Sequence, residues 1–403
     1  MKKYLIAGLL LTTANFSFSE DIELYISESV KQAKARPQVL IVFDTSGSMG
    51  WNTTVKASYK PNIVYDPVNN YTKLSGNYIY YTKGQIDVSN IPVADDPNEK
   101  RKFSLDISNC KVAQDIIAQY GIYTGHVREY KFQGNSGRWS ELNETDGTGI
   151  YLTDCEGDVL GENSHNKNYL NEGAVTALPS GYPIDGEGDL ESPEFYTTTA
   201  TDSNVEWSGS LVTLYSDNYL RWHHGDVDNA KIGLVTRPRI EVAQESVTSL
   251  INSSPNVDFG LQVFNRNNSG SSRHGGRIIS AIVASTTASH SALVDVVNDD
   301  LIASGNTPLC ETLYEASRYF GGKTVDFGDN ETSFTPSRDL DAEEPAGTYK
   351  SPFSSCSDKA YVILMTDGVP TSDNNADTKV KALGTADSYA MSAFGGNYFR
   401  MDE

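Results

Sequence analysis

Val39-Leu40-Ile41-Val42-Phe43-Asp44-Thr45-Ser46-Gly47-Ser48-Met49 joins an unbroken apolar run to a loop with one carboxylate and two hydroxyls at alternate positions. The apolar run reads as a buried strand, and the polar residues begin where it ends. Alternate residues of an extended segment point the same way, so Asp44, Ser46 and Ser48 can converge on one point while Gly47 permits a tight turn. Oxygen-only ligands of this kind suit a hard divalent cation: magnesium, manganese or calcium.

A regular series resumes well downstream of this stretch. Apolar residues at Ile240, Ala243, Val247, Leu250 and Ile251 mark one helical face, and the alternation Phe259, Leu261, Val263 marks a strand over 258–264. A short apolar run over 277–283 and a helix over 291–302, with Leu293, Val296, Val297 and Leu301 on its apolar side, come next. Pro308 opens another helix through Leu309, Leu313, Ala316 and Phe320, which Gly321-Gly322 stops. The strand Ala360 to Met365 again runs straight into polar residues, Thr366-Asp367-Gly368. Apolar strands alternating with amphipathic helices predict an α/β fold, a doubly wound and mostly parallel sheet. Sites in such sheets lie at the carboxyl ends of the strands, where Asp44 and Asp367 both fall.

A long interval rich in Tyr, Asn, Gly and Thr interrupts the series between about residues 50 and 228. It is too long for a plain loop and is expected to carry short strands and turns of its own. Only Val112 to Ile117 shows a brief helical pattern there. The text Asp185-Gly186-Glu187-Gly188-Asp189-Leu190-Glu191 superficially resembles a calcium loop but lacks the register of an EF-hand, and it reads as a solvated loop.

The N-terminus has the form of a secretory signal peptide: Lys2 and Lys3, an apolar core from Tyr4 to about Ala14, then small polar residues before Glu20-Asp21. The core is shorter than the roughly 20 residues that span a bilayer, and no later stretch is longer. Length allows about two domains, or one with a large insertion. A net charge of −21 opposes binding to nucleic acid or anionic lipid and favours solubility after export. The four cysteines of an exported chain point to disulfides. Locality favours Cys110 with Cys155 and Cys310 with Cys356, among the three pairings that four cysteines allow. No CxxC spacing points to zinc or redox chemistry.

Asp44, Ser46 and Ser48, then Thr307 in Gly305-Asn306-Thr307-Pro308-Leu309, then Asp367 make a three-loop oxygen set. This set resembles the von Willebrand factor A (VWA) fold with its metal-ion-dependent adhesion site, whose Asp-x-Ser-x-Ser, Thr and Asp positions are all filled here. The resemblance implies that Ser46, Ser48 and Thr307 ligate the metal directly and that Asp44 and Asp367 hold it directly or through water. A partner's carboxylate would take the open position. The segments Asp21 to Tyr25, Pro37 to Met49, Asn218 to Trp222, Asn306 to Leu313 and Val362 to Pro370 further resemble the N-terminal region of PilC/PilY-type type IV pilus tip proteins, which place a long insertion after the first strand.

That resemblance implies a signal peptide over 1–19, the start of a VWA domain over 20–49, an insertion over 50–228 and the rest of the domain over 229–403. It also implies an exported protein of the periplasm, outer membrane or pilus tip that works with minor pilins in pilus assembly, surface attachment and twitching motility. Family members continue into a C-terminal β-propeller, and no further strand is visible before Glu403, which predicts a truncated product.

Enzymatic readings are weaker. Phe43-Asp44-Thr45 is similar to an aspartic-protease loop, but the second loop, Asp367-Gly368, lacks the hydroxyl residue that a carboxylate dyad needs. An Asp-x-Asp phosphatase would need an acid where Ser46 stands, and no Ser/His/Asp set emerges. His223 and His224 read as surface or loop histidines. The expectation is a binding protein, with a secreted VWA protein unconnected with pili as the alternative.

Overall fold

The computed structural model describes residues 36–84, 90–160, 182–184, 188–189, 191–197, 205, 207, 209–268, 272–353 and 360–386. The expected signal peptide over 1–19, Asp21 to Tyr25, Cys356 and much of the 185–191 loop lie outside the described residues.

In chain order, β1 (Gln38–Phe43) leads through the Asp44 loop and a tight turn at Gly47–Gly50 into β2 (Asn52–Lys56). There follow β3 (Tyr78–Lys83), β4 (Lys102–Ser104), α1 (Lys111–Tyr120), β5 (Ile122–Gly125), β6 (Val127–Gln133), β7 (Ser136–Glu141) and β8 (Leu152–Cys155). Next come α2 (Glu156–Leu160), β9 (Tyr182–Pro183), β10 (Tyr196–Thr197), β11 (Val212–Ser216) and α3 (Asp217–His224). The final series is β12 (Leu234–Pro238), α4 (Arg239–Ser253), β13 (Asp258–Phe264), β14 (Gly276–Ser280), α5 (Thr287–Asp295), α6 (Leu309–Phe320), β15 (Ala360–Met365) and α7 (Asp377–Ala386).

The fold is mixed α/β. Its principal sheet has the order β14-β13-β1-β15, with β1 parallel to both neighbours and β14 antiparallel at one edge. Phe43 lies opposite Val263 and Met365, and Asp44 N donates to Met365 O at 3.0 Å, so the Asp44 loop leaves the middle of the sheet at its carboxyl end. The apolar run of β1 is buried on both faces. Val39, Ile41 and Phe43 pack in one cluster with Ile240, Val247 and Leu250 of α4 and Leu293 of α5. Leu40 and Val42 pack in another with Leu309, Ala316 and Tyr319 of α6. Each fully buried side chain of this run contributes about 1.5–3 kcal/mol of burial.

Two helices differ from the sequence expectation. The helix expected over 291–302 begins earlier, at Thr287, because Thr286 and Ser289 form a reciprocal capping box, and it passes into a widened π turn at Val296–Asp300. Within the insertion, α3 shows no clean apolar stripe in the sequence, since its buried residues are Tyr219, Leu220, Arg221 and Trp222. Its last turn carries His223 and His224, expected on a loop or surface; His224 Nε2 instead lies 2.9 Å from Pro92 O, and burial pushes its imidazole down to about 4.

The insertion is built mainly from antiparallel sheets, one ordered β4-β3-β11-β5 and one ordered β7-β6-β8. The chain leaves and re-enters the principal domain through the antiparallel ribbon of β2 and β12, which pairs Asn52 with Pro238 and Lys56 with Leu234. Cys110 and Cys155 form a disulfide, their Cα atoms 5.2 Å apart across a separation of 45 residues. A cross-link of that span stabilises by about 3–4 kcal/mol in the chain-entropy picture. It fixes the start of α1 to the end of β8, next to Asp158, which accepts from Lys111 N and Val112 N. Cys310 is buried in α6. No helix among the described residues is long and apolar enough to cross a membrane.

Candidate metal centre

Two strand ends bring four of the five expected residues together. Ser46 Oγ and Ser48 Oγ lie 3.0 Å apart, and Ser48 Oγ donates to Asp367 Oδ1 at 2.7 Å, joining loops 319 residues apart. A hydroxyl carries one proton, and Ser48 has given its own to Asp367, so Ser46 is the donor to Ser48. Asp44 is wholly buried and its two oxygens are separately held: Oδ1 accepts from Ser46 N at 2.6 Å and Oδ2 from Thr366 Oγ1 at 2.7 Å.

Thr307 is placed by its backbone. Its N–H donates to Thr371 Oγ1 at 3.0 Å, and its carbonyl accepts from Thr371 N at 3.1 Å. No hydrogen bond among the described residues joins its hydroxyl to the other four. The second loop nevertheless rests on the first, because Gly47 N donates to Gly305 O at 2.9 Å and Ser304 N donates to Thr45 O at 2.7 Å. Gly305 has φ +97, and a Cβ there would stand 3.1 Å from Arg266 Cα, so the close approach requires glycine. Gly47 itself has no positive φ. Its role is the contact with Gly305 rather than a left-handed turn.

The segment after β15 holds both ends of the set. Beyond Thr371, the buried Asp373 accepts from Cys310 N at 2.8 Å and Glu311 N at 3.1 Å, closing the first turn of α6 just behind Thr307. Burial pushes this carboxyl up to about 7, against the lowering effect of those two N–H groups.

Three neighbours were not legible as site residues. Thr366 and Thr371 stand inside or near the quoted motif but act by orienting Asp44 and Thr307. Arg239, the first residue of α4, puts Nη1 2.5 Å from Asp367 Oδ2. No periodicity marks such a residue.

The donor set fits a hard cation. Once the Ser46 and Ser48 protons are committed along the chain toward Asp367, lone pairs on both hydroxyls remain available, and two carboxylates supply the charge. Asp44, Ser46, Ser48 and Asp367 would hold the ion, with Thr307 completing the set from the adjoining loop. A second grouping, Cys110, Cys155 and Asp158, has its ligand atoms within 4.8 Å of one another. Its sulfurs are joined in the disulfide and offer no thiolate. A separate cleft of about 570 Å³ between the ribbon, α3 and α4, lined by Tyr59, Tyr120, Trp222, Arg237 and Glu245 among others, includes none of the five residues.

A family model described as Domain of unknown function (DUF8355) matches residues 78–225. Its limits fall inside the β2–β12 ribbon and span the insertion from β3 to the end of α3. No curated protein and no solved structure matches the chain.

Proposed function

We propose that this chain is an exported adhesion module with a VWA-type domain, which grips a partner's carboxylate through a divalent cation held by Asp44, Ser46, Ser48, Thr307 and Asp367. The observation that carries the reading is the continuous chain Ser46–Ser48–Asp367, which joins the ends of two parallel neighbouring strands. Neutral hydroxyls neutralise little of a cation's charge, so a metal held this way stays electrophilic toward an outside acid. The chain's own groups do the positioning: Thr366 and Ser46 N fix Asp44, Ser48 fixes Asp367, and Thr371 fixes Thr307. The set binds and orients; no general base or nucleophile is assigned to it.

The sequence likeness to PilC/PilY-type proteins extends the proposal to a type IV pilus tip protein working with minor pilins in assembly, attachment and twitching. The disulfide is compatible with export. Deleting the gene in its bacterium and complementing with wild type or D44N tests this. Surface pili and twitching are expected to fall with the deletion and to return with wild type only. Normal piliation in the deletion strain, with surface attachment alone reduced, would overturn the pilus assignment and favour a secreted adhesion protein unconnected with pili.

A further inference from the structure

Arg239 bonds to one of the carboxylates that the cation would use. Its guanidinium lies 2.5 Å from Asp367 Oδ2, opposite the oxygen that accepts from Ser48. The Asp367 side chain is only 10% exposed, whereas that of Arg239 is 34% exposed and so has room to turn outward. On its other side the guanidinium stands 5.8 Å from the ring of Trp51, which is 65% exposed at the rim of the same loop. The backbone fixes this arrangement, since Arg239 N donates to Trp51 O at 3.0 Å. The start of α4 and the end of the Asp44 loop therefore form one unit.

We propose that Arg239 is a built-in counter-ion which competes with the divalent cation for Asp367 and, when displaced, is released toward Trp51 at the rim. This rests on the metal reading above. Two cations cannot share one buried carboxylate oxygen without repulsion, so an ion drawing on Asp367 weakens the guanidinium pair. The pair in turn lowers metal affinity, and the two effects are equal by linkage. Released beside an exposed indole, the guanidinium becomes an anion-binding group at the end of the Asp44 loop. A partner that offers an acid near an apolar or aromatic residue matches that pairing. Arg239 is thus a positioning residue that couples metal occupancy to acid recognition.

The test is magnesium titration of the disulfide-intact protein by calorimetry and by tryptophan emission, in wild type, R239Q, R239K and R237Q, with W51F assigning the emission change to Trp51. R237Q removes an equal charge from a residue that pairs with Glu245 and not with Asp367. The expected result is that R239Q binds magnesium about fivefold tighter, the scale of a partly exposed ion pair. R239K and R237Q should stay within about twofold of wild type. Magnesium should change Trp51 emission in wild type and not in R239Q. Equal or weaker binding by R239Q, equal tightening by R237Q, or an undiminished emission change in R239Q would each overturn the proposal while leaving the metal site in place. Absence of binding in both wild type and R239Q would overturn the site itself and the proposal with it.

Discussion

Replacing Asp44 is expected to weaken divalent binding by at least about a hundredfold, roughly 3 kcal/mol. A unit charge about 4 Å from another contributes about 4 kcal/mol at the effective dielectric of a protein site, and a divalent ion feels more. Asp44 supplies one of only two carboxylates in the set. The cleaner variant is D44N, which keeps the side-chain shape and one acceptor oxygen. D44A also orphans Ser46 N in a buried setting, and it takes away the acceptor of Thr366 Oγ1, whose residue is exposed. That adds about 1–3 kcal/mol of instability to the loss of affinity. Calorimetry with manganese on folded D44N separates the two effects. Affinity within threefold of wild type, an energy difference of about 0.7 kcal/mol, would remove Asp44 from the site.

The second large effect lies in the insertion. R221A is expected to cost about 3–5 kcal/mol at neutral pH, because it breaks a buried charge cluster by removing one partner. Arg221 Nε lies 2.6 Å from Asp95 Oδ2, and Nη2 lies 3.0 Å from Asp95 Oδ1 and 2.8 Å from Asp217 Oδ2. Both Arg221 and Asp95 are almost fully buried, and Asp95 sits at φ +67, a conformation that its neighbours must hold. Leu74 N and Tyr80 OH provide that hold through the Asp95 carboxylate and backbone N–H respectively.

The pH dependence has a definite sign. Burial works to raise the Asp95 carboxyl, but the Arg221 hydrogen bond, Leu74 N and nearby positive charge leave it below its ordinary value. A depressed carboxyl contributes stability above its unfolded value, and that contribution is lost as pH falls through the folded one. In R221A burial acts without its main opponent, the carboxyl rises, and protonation relieves the stranded charge. The difference between wild type and R221A in urea unfolding should therefore be largest near neutrality and shrink as pH falls through the raised carboxyl of R221A and then the lowered one of wild type. A cost under 1 kcal/mol at pH 7 would contradict the role given to this cluster.

The principal sheet was readable because its signals are local. Val39 to Phe43 and Ala360 to Met365 are short apolar runs that end in polar loops, and they pair in parallel. Pro308 and Gly321 mark the ends of α6 as expected. The insertion was less readable, and for a physical reason. Its strands bury tyrosines such as Tyr80, Tyr81, Tyr123 and Tyr215, residues whose apolar rings carry a polar tip and give no clean alternation. Helix α3 buries Arg221, a residue that patterning assigns to solvent.

At the candidate metal centre, Asp44, Ser46, Ser48 and Asp367 could be grouped from loop order, since strand direction places both carboxylates at the carboxyl end of the sheet. The hydroxyl of Thr307 is not tied to them, and only the backbone of its loop is. Arg239 was invisible because nothing in the sequence ties it to a particular carboxylate, and the helix dipole gives no reason for a cation at a helix start. Its pairing with Asp367, 128 residues away, is a property of the folded chain alone.

The most direct measurement is an anomalous difference map at the manganese edge from crystals of the protein soaked in manganese. One strong peak is expected within about 2.6 Å of both Ser46 Oγ and Ser48 Oγ, absent from D44N crystals treated alike. No peak between the Asp44 and Asp367 loops, or an equal peak in D44N, would contradict the assignment of a divalent adhesion site to this chain.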